Sequence, residues 1–424
     1  MSSPPIPMSP KNWKACSLNG KRRLKITRGD SWINGKQKHG HRLFMKKHTA
    51  LQSISLLLKP ASSLCNLSCA YCFYRRVRDI YPSIPTKMSR SVAQRVIRKT
   101  LSTDAPHNSF CWQGGEPLLM GLDFFRDVVA FQKKYARPGQ VIENSLQTNG
   151  LLLDDQWCEF LRQENFLVGI SLDGPAEIHD FYRKDNEQKG TFTEVMRSIG
   201  LMKKHDVQFN ILCLLTDRNV KSPLELYNFF RSHDFRFIQF INCFENDSCS
   251  GALKPFSVCG KETGEFYITL FDEWFGKDFF DVSIRFFEDI LLYLVDGVKA
   301  SCCYNNMCNS YLIVEHNGDC YPCDFFVFEE WKIGNLMQND IRTIMKSPLR
   351  SVFASLKADL SEECMGCRVA SFCKGDCTRF RYLPDAGYKN ISEYCTTIKM
   401  VYNHIEPYLP EIRLRVAAYR NRQF

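Results

Sequence analysis

The stretch that decides the fold is "SISLLLKPASSLCNLSCAYCFY", residues 53–74. Its apolar front half reads as a buried strand that ends just before Cys65, Cys69 and Cys72. Three thiols within eight positions are too many for packing. An odd number cannot all pair as local disulfides. They are also one short of a closed four-thiolate metal site. Something other than a local side chain has to take the fourth position.

Downstream, apolar runs alternate with helical patterns. After "SISLLLKP" come the strand-like "SFCWQGG", "VIENSLQTNG", "LVGISLDGP", "VQFNILCLLT" and "FRFIQFINCF". Helix-like stretches such as "SRSVAQRVIRKTL", with Ser89 as a plausible N-cap, "LDFFRDVVAFQKKYA" and "PLELYNFFRSHD" lie between them, and a helix is expected near 260–276. Six strand–helix units predict an α/β fold with a parallel sheet and outer helices. Six is fewer than the eight of a closed barrel, so the expectation is a partial (β/α)6 TIM-type barrel. In such folds the site lies where strands end. The cysteine cluster, "WQGGEP", "QTNG" and "SLDGP" end the first four strands in phase.

After about residue 300 the alternation stops. "YLIVEHNGDCYPCDFF" reads as a hairpin turning at Asn317-Gly318. "EECMGCRVASFCKGDC" and Cys395 follow. This predicts a small, loop-rich unit over 300–400 held by metal, after a barrel over 51–299 and before a helical tail over 401–424. Taken alone, Cys364, Cys367, Cys373 and Cys377 also fit a closed zinc site.

The chain has 424 residues, 44% hydrophobic and 24% charged, an ordinary globular balance with room for a large and a small domain. No apolar run approaches the length that spans a bilayer. The first residues lack the pattern of a secretory signal. The net charge of +10 is local: residues 1–48 hold twelve Lys or Arg against one acid, Asp30, and the rest is close to neutral. Residues 1–50 read as a disordered, solvated extension, or as sequence upstream of a second start at Met45. Twenty cysteines without an export signal point to metal or redox chemistry in a reducing, cytoplasmic setting. The scattered Cys111, Cys158, Cys213, Cys243, Cys249 and Cys259 read as small buried residues.

Cys65-x3-Cys69-x2-Cys72, with Tyr71 before the last thiol, resembles the first motif of the radical S-adenosylmethionine (SAM) superfamily, and "GGEP" at 114–117 resembles its second. The C-terminal cysteines resemble the SPASM auxiliary-cluster domain. With "LQTNG", "SLDGP", "QFIN" and "YPCDF", the stretch from about 53 to 400 resembles anaerobic sulfatase-maturating enzymes.

The resemblance implies three [4Fe–4S] clusters and SAM, chelated by the free iron of the first cluster. It implies reductive cleavage to a 5′-deoxyadenosyl radical, hydrogen abstraction from the β-carbon of a sulfatase Cys or Ser, and loss of a proton and a second electron to leave a (thio)aldehyde, the thioaldehyde from Cys then being hydrolysed by water to formylglycine with release of sulfide. It places Tyr71 on the adenine, Gly115 on the cofactor's methionine end, Ser171 on its ribose or carboxylate, Arg183 on a carboxylate and Phe244 in the adenine pocket. It assigns Cys65, Cys69 and Cys72 to the radical cluster. Cys302, Cys308, Cys323 and Cys377 hold one auxiliary cluster, and Cys364, Cys367, Cys373 and Cys395 the other. Cys303 and Cys320 are left over and compete for a place. Asp324 is the implied general base, with Tyr74 and Gln113 weaker candidates beside the substrate. The partners it implies are a sulfatase polypeptide and an electron donor such as flavodoxin or ferredoxin, with no membrane and no nucleic acid. Two alternatives stand beside it. One is another peptide-modifying SPASM enzyme, against which the lack of a strand–helix pattern in residues 1–50 counts. The other is a zinc-stabilised nucleic-acid-binding protein.

Overall fold

Parallel strands joined by helices pack one face on those helices, and the apolar runs between residues 53 and 242 alternate with helices in that way. The computed structural model describes residues 53–82, 86–246, 252–381 and 391–421. The basic extension and Cys249 lie outside the described residues. Six strands fall where the sequence places them: β1 (Ser53–Lys59), β2 (His107–Trp112), β3 (Val141–Thr148), β4 (Leu167–Ser171), β5 (Phe209–Leu215) and β6 (Phe237–Asn242). A two-residue β7 (Ser283–Ile284) adds a seventh parallel strand beside β6. The C-terminal segment supplies β8 (Leu312–Glu315), β9 (Asp319–Tyr321) and β10 (Gly334–Asn335).

All ten form one open sheet in the order β10-β9-β8-β1-β2-β3-β4-β5-β6-β7. The barrel strands are parallel, and β8 pairs with β1 in parallel, setting Lys59 opposite Glu315. The cysteine-rich segment therefore begins by extending the barrel sheet. The β8–β9 turn differs from a two-residue Asn317-Gly318 turn. Gly318 donates to the Glu315 carbonyl at 2.8 Å, so His316 and Asn317 are central and Gly318 follows at φ +89°. This is a three-residue loop, a type I turn closed by a left-handed glycine.

Helix Arg90–Leu101 starts at Ser89, whose hydroxyl accepts from Val92 N at 3.3 Å. It buries Ala93, Val96, Ile97 and Leu101 against the sheet. Edge-to-face aromatic contacts fill the same layer: Trp112 on Phe125, and Phe125 on Trp157, at 5.6 and 5.5 Å. The chain closes with helices Cys395–Ile405 and Leu409–Asn421.

Candidate active site and cysteine clusters

The loop after β1 is pinned from several sides before any cofactor is considered. Ser68 N donates to Lys184 O at 2.8 Å, and Glu116 N to Leu64 O at 2.8 Å. Gly115 sits at φ +53°, where an added Cβ would meet Leu64 O at 2.1 Å. Only glycine fits there. Glu116 is fully buried and accepts three hydrogen bonds, from Leu118 N, Thr148 Oγ1 and Asn149 N, at 2.8–3.0 Å. Burial pushes its carboxyl up to about 7. Asn149 in turn reaches Asn66 Oδ1 at 2.8 Å and Cys65 Sγ at 3.8 Å. The ends of β1, β2 and β3 are thus tied into one polar network around the first cysteine.

Burial, with the Glu116 carboxyl nearby, pushes the Cys65 thiol up to about 12. Cys69 and Cys72 lie close enough to act on it electrostatically. Cys69 and Tyr71 pack with Leu67, Leu214 and Cys243. The Tyr71 hydroxyl donates to Asp173, and Arg183 grips the same carboxylate through two nitrogens at 2.8 and 3.1 Å. The guanidinium expected on a ligand carboxylate thus holds the protein's own Asp173. Ser171 is buried at the end of β4. The Phe244 ring packs on Phe380 and Tyr394, at 5.3 and 5.9 Å, so its neighbours are C-terminal side chains.

A second constellation surrounds Asp324. Lys59, the last residue of β1, places Nζ 2.6 Å from Asp324 Oδ1, with both side chains buried. Gln113, just past β2, donates to Oδ2 at 3.1 Å. Oδ1 receives no well-aligned hydrogen bond, so the ion pair is close but leaves a lone pair undirected. The Lys59 ammonium also lies 4.5 Å from the Tyr74 ring centre. The Tyr74 hydroxyl donates to Glu315, and burial, with Glu315 and Asp324 around it, pushes that phenol far above its usual range. Tyr74 is accordingly a donor in this structure.

The C-terminal cysteines gather in two sets. Cys377, Cys308 and Cys302 bear electrostatically on the deeply buried Cys323 thiol, which burial raises most. Cys364, Cys367, Cys373 and Cys395 line one pocket with Val369, Ile398 and Lys399. Of the two spare thiols, Cys320 points away, its Sγ donating to Gly318 O at 3.4 Å beneath Leu336. Cys303 lies by Arg285 and Tyr304. Three thiols at a strand end and two convergent groups of four are donor sets that suit iron–sulfur clusters.

A model of the radical SAM superfamily matches residues 60–230, and one of the SPASM iron–sulfur cluster-binding domain matches residues 302–368. The cysteine-type anaerobic sulfatase-maturating enzyme of Clostridium perfringens is 38% identical over 365 residues, 84% of this chain and 97% of that protein. This chain belongs to the anaerobic sulfatase-maturating enzymes. The serine-type enzyme of Bacteroides thetaiotaomicron is 36% identical over 372 residues, 84% of this chain and 90% of that one. The solved structure of native anSMEcpe with bound AdoMet and Cp18Cys peptide superposes with a TM-score of 0.81 at 37% identity, covering 86% of this chain and 99% of that chain.

The chain is therefore a radical SAM oxidoreductase that converts a Cys or Ser to formylglycine. SAM and [4Fe–4S] clusters are its cofactors, three clusters being the family's number. Among the described residues no helix is long and apolar enough to cross a membrane. Sequence reasoning missed Lys59, Asp173 and Glu315. Lys59 carried a signal, a charge closing an apolar strand. Asp173 stood in "SLDGP" and Glu315 at the end of "YLIVE", and nothing in either stretch singled it out.

Proposed function

We propose that this chain binds a sulfatase polypeptide at the barrel's strand ends and oxidises its target residue beside Asp324. One observation carries the reading: the carboxylate of Asp324, next to Cys323, is buried, ion-paired to Lys59 and oriented by Gln113. Asp324 takes the proton from the substrate thiol or hydroxyl. The Lys59 ammonium, 2.6 Å from Oδ1, holds the carboxylate in place at the end of β1. Gln113 fixes the carboxylate's orientation, and Tyr74, bonded to Glu315, walls the site.

Cys65, Cys69 and Cys72 hold the radical cluster, and the Tyr71–Asp173–Arg183 network backs the cofactor pocket with Gly115, Ser171 and Phe244. When bound, the cluster and SAM supply the radical that removes hydrogen from the substrate's β-carbon. The residues of this chain hold the peptide still and exclude water. Cys302, Cys308, Cys323 and Cys377, and separately Cys364, Cys367, Cys373 and Cys395, hold the auxiliary clusters. A flavodoxin or ferredoxin supplies the electrons. Among the described residues the cysteines stand as thiols, not disulfides, which suits a reducing cytoplasm.

The test is anaerobic incubation of the holoenzyme with SAM, dithionite and peptides carrying a C-x-P-x-R or S-x-P-x-R core, read by mass spectrometry. Asp324→Asn keeps size and removes the basic oxygen. Formylglycine should fall by roughly 10²–10⁴-fold, while 5′-deoxyadenosine continues to form. Near-normal product from the variant would show that Asp324 is a structural residue of the hairpin.

A further inference from the structure

Between the two four-cysteine sets lie two side chains that the reaction does not call on. Lys357 is fully inaccessible to solvent and Arg381 is 1% exposed. Lys357 Nζ donates to Cys303 O at 2.6 Å and also to Asp376 O. Arg381 donates to Lys357 O at 2.9 Å and to Asp359 O. The two cations thus share one stretch of backbone, and the Lys357 bonds go to carbonyls next to Cys302 and Cys377 of the first set.

Their charges reach both sets. Lys357 acts electrostatically on Cys308 of the first set and Cys373 of the second. Arg381 acts on Cys364 of the second and Cys308 of the first. Asp376, buried beside them, accepts from Ser392 Oγ at 2.7 Å. Lys299 stands further out, half-buried against Ser371 O at 2.5 Å, where water screens it.

A cubane closed by four thiolates carries net negative charge, and an added electron makes it more negative. A cation fixed in a low-dielectric interior stabilises the reduced form more than the oxidised form. Net charge near a cluster is one of the levers that set its potential. We propose that Lys357 and Arg381 form a buried cationic partition between the two auxiliary clusters, whose charge raises the reduction potential of both together. The proposal rests on the two ligand sets given above.

The experiment is a redox titration of the reconstituted holoenzyme, followed by electron paramagnetic resonance, with iron counted in every sample. Lys357→Gln keeps donors for the two carbonyls and removes the charge. In the loaded variant both auxiliary midpoints should move to more negative potential, the radical cluster's midpoint should stay, and Lys357→Arg should match the unaltered protein. Auxiliary midpoints that do not move, or only one that moves, overturn the partition. If Lys357→Gln takes up less iron, Arg381→Gln is titrated in its place and read the same way. Loss of iron from both variants overturns the proposal too, because the cations would then serve assembly. An unaltered protein with well under about twelve irons, the content of three four-iron clusters, would instead sink the ligand sets.

Discussion

The two cysteine-bearing regions are held by different means. The loop of Cys65, Cys69 and Cys72 hangs from a parallel sheet with a large aromatic core, and backbone hydrogen bonds pin it from Lys184 and Glu116. The segment from Cys302 to Arg381 has strands of two to four residues and several helices of three to five. Its interior holds buried thiols and the buried cations Lys357, Arg379 and Arg381. Burying a charge is costly unless it is compensated. Thiolates bound to iron provide that compensation, whereas protonated thiols do not. The barrel should thus stand without metal, and the C-terminal segment should depend on it.

The largest effect follows directly. Stripping iron from the holoenzyme should abolish activity and open residues 300–381 to protease, while β1 to β6 stay protected. Limited proteolysis with mass mapping, or hydrogen exchange, reports it. Equal protection of both regions after iron loss would break the comparison.

Cys65→Ala, Cys69→Ala and Cys72→Ala together sharpen the barrel's side of it. About four of roughly twelve irons should be lost, 5′-deoxyadenosine should vanish, and thermal stability should change little. Continued deoxyadenosine formation in the triple variant would end the radical reading. General unfolding would mean that the loop depends on its metal as much as the C-terminal segment does.

Glu116→Gln probes the network that pins the loop. Its two oxygens face three donors, so an amide nitrogen there would point at an N–H or O–H. A mismatched buried donor costs about 1–3 kcal/mol. The melting temperature should fall accordingly, with the radical cluster's iron lost before the auxiliary irons. A variant as stable as the unaltered protein would show that other contacts hold the loop.

The contrast also explains what the sequence disclosed. Apolar runs closing on glycines or cysteines marked six strands and their functional ends, because strand burial and loop chemistry are local properties. Thiol spacing marked the clusters for the same reason. The Lys59–Asp324 pair was hidden, since it requires β8 to add beside β1, a pairing between distant segments that no periodicity announces. Nothing in the local sequence sets Lys357 and Arg381 apart, and only the packed chain shows them buried. The pairing of Arg183 with Asp173 was hidden as well, since the two are ten residues apart with a helix between them.

The smallest effect concerns residues 1–45. Their charge is concentrated, with twelve Lys or Arg and one acid up to residue 48. A segment of that composition is expected to be dispensable to the barrel. The sheet adds a second reason. β1 starts at Ser53 and is already paired on both sides, by β2 and β8, so no strand from upstream is needed to complete it. Removing residues 1–45 should leave cluster content unchanged and turnover of a short peptide within a few-fold. The same comparison on a full-length sulfatase separates two roles. A loss confined to the intact sulfatase would assign the basic segment to docking an acidic surface, and this loss should shrink as salt rises. A loss on both substrates, with clusters intact, would place the segment at the active site itself.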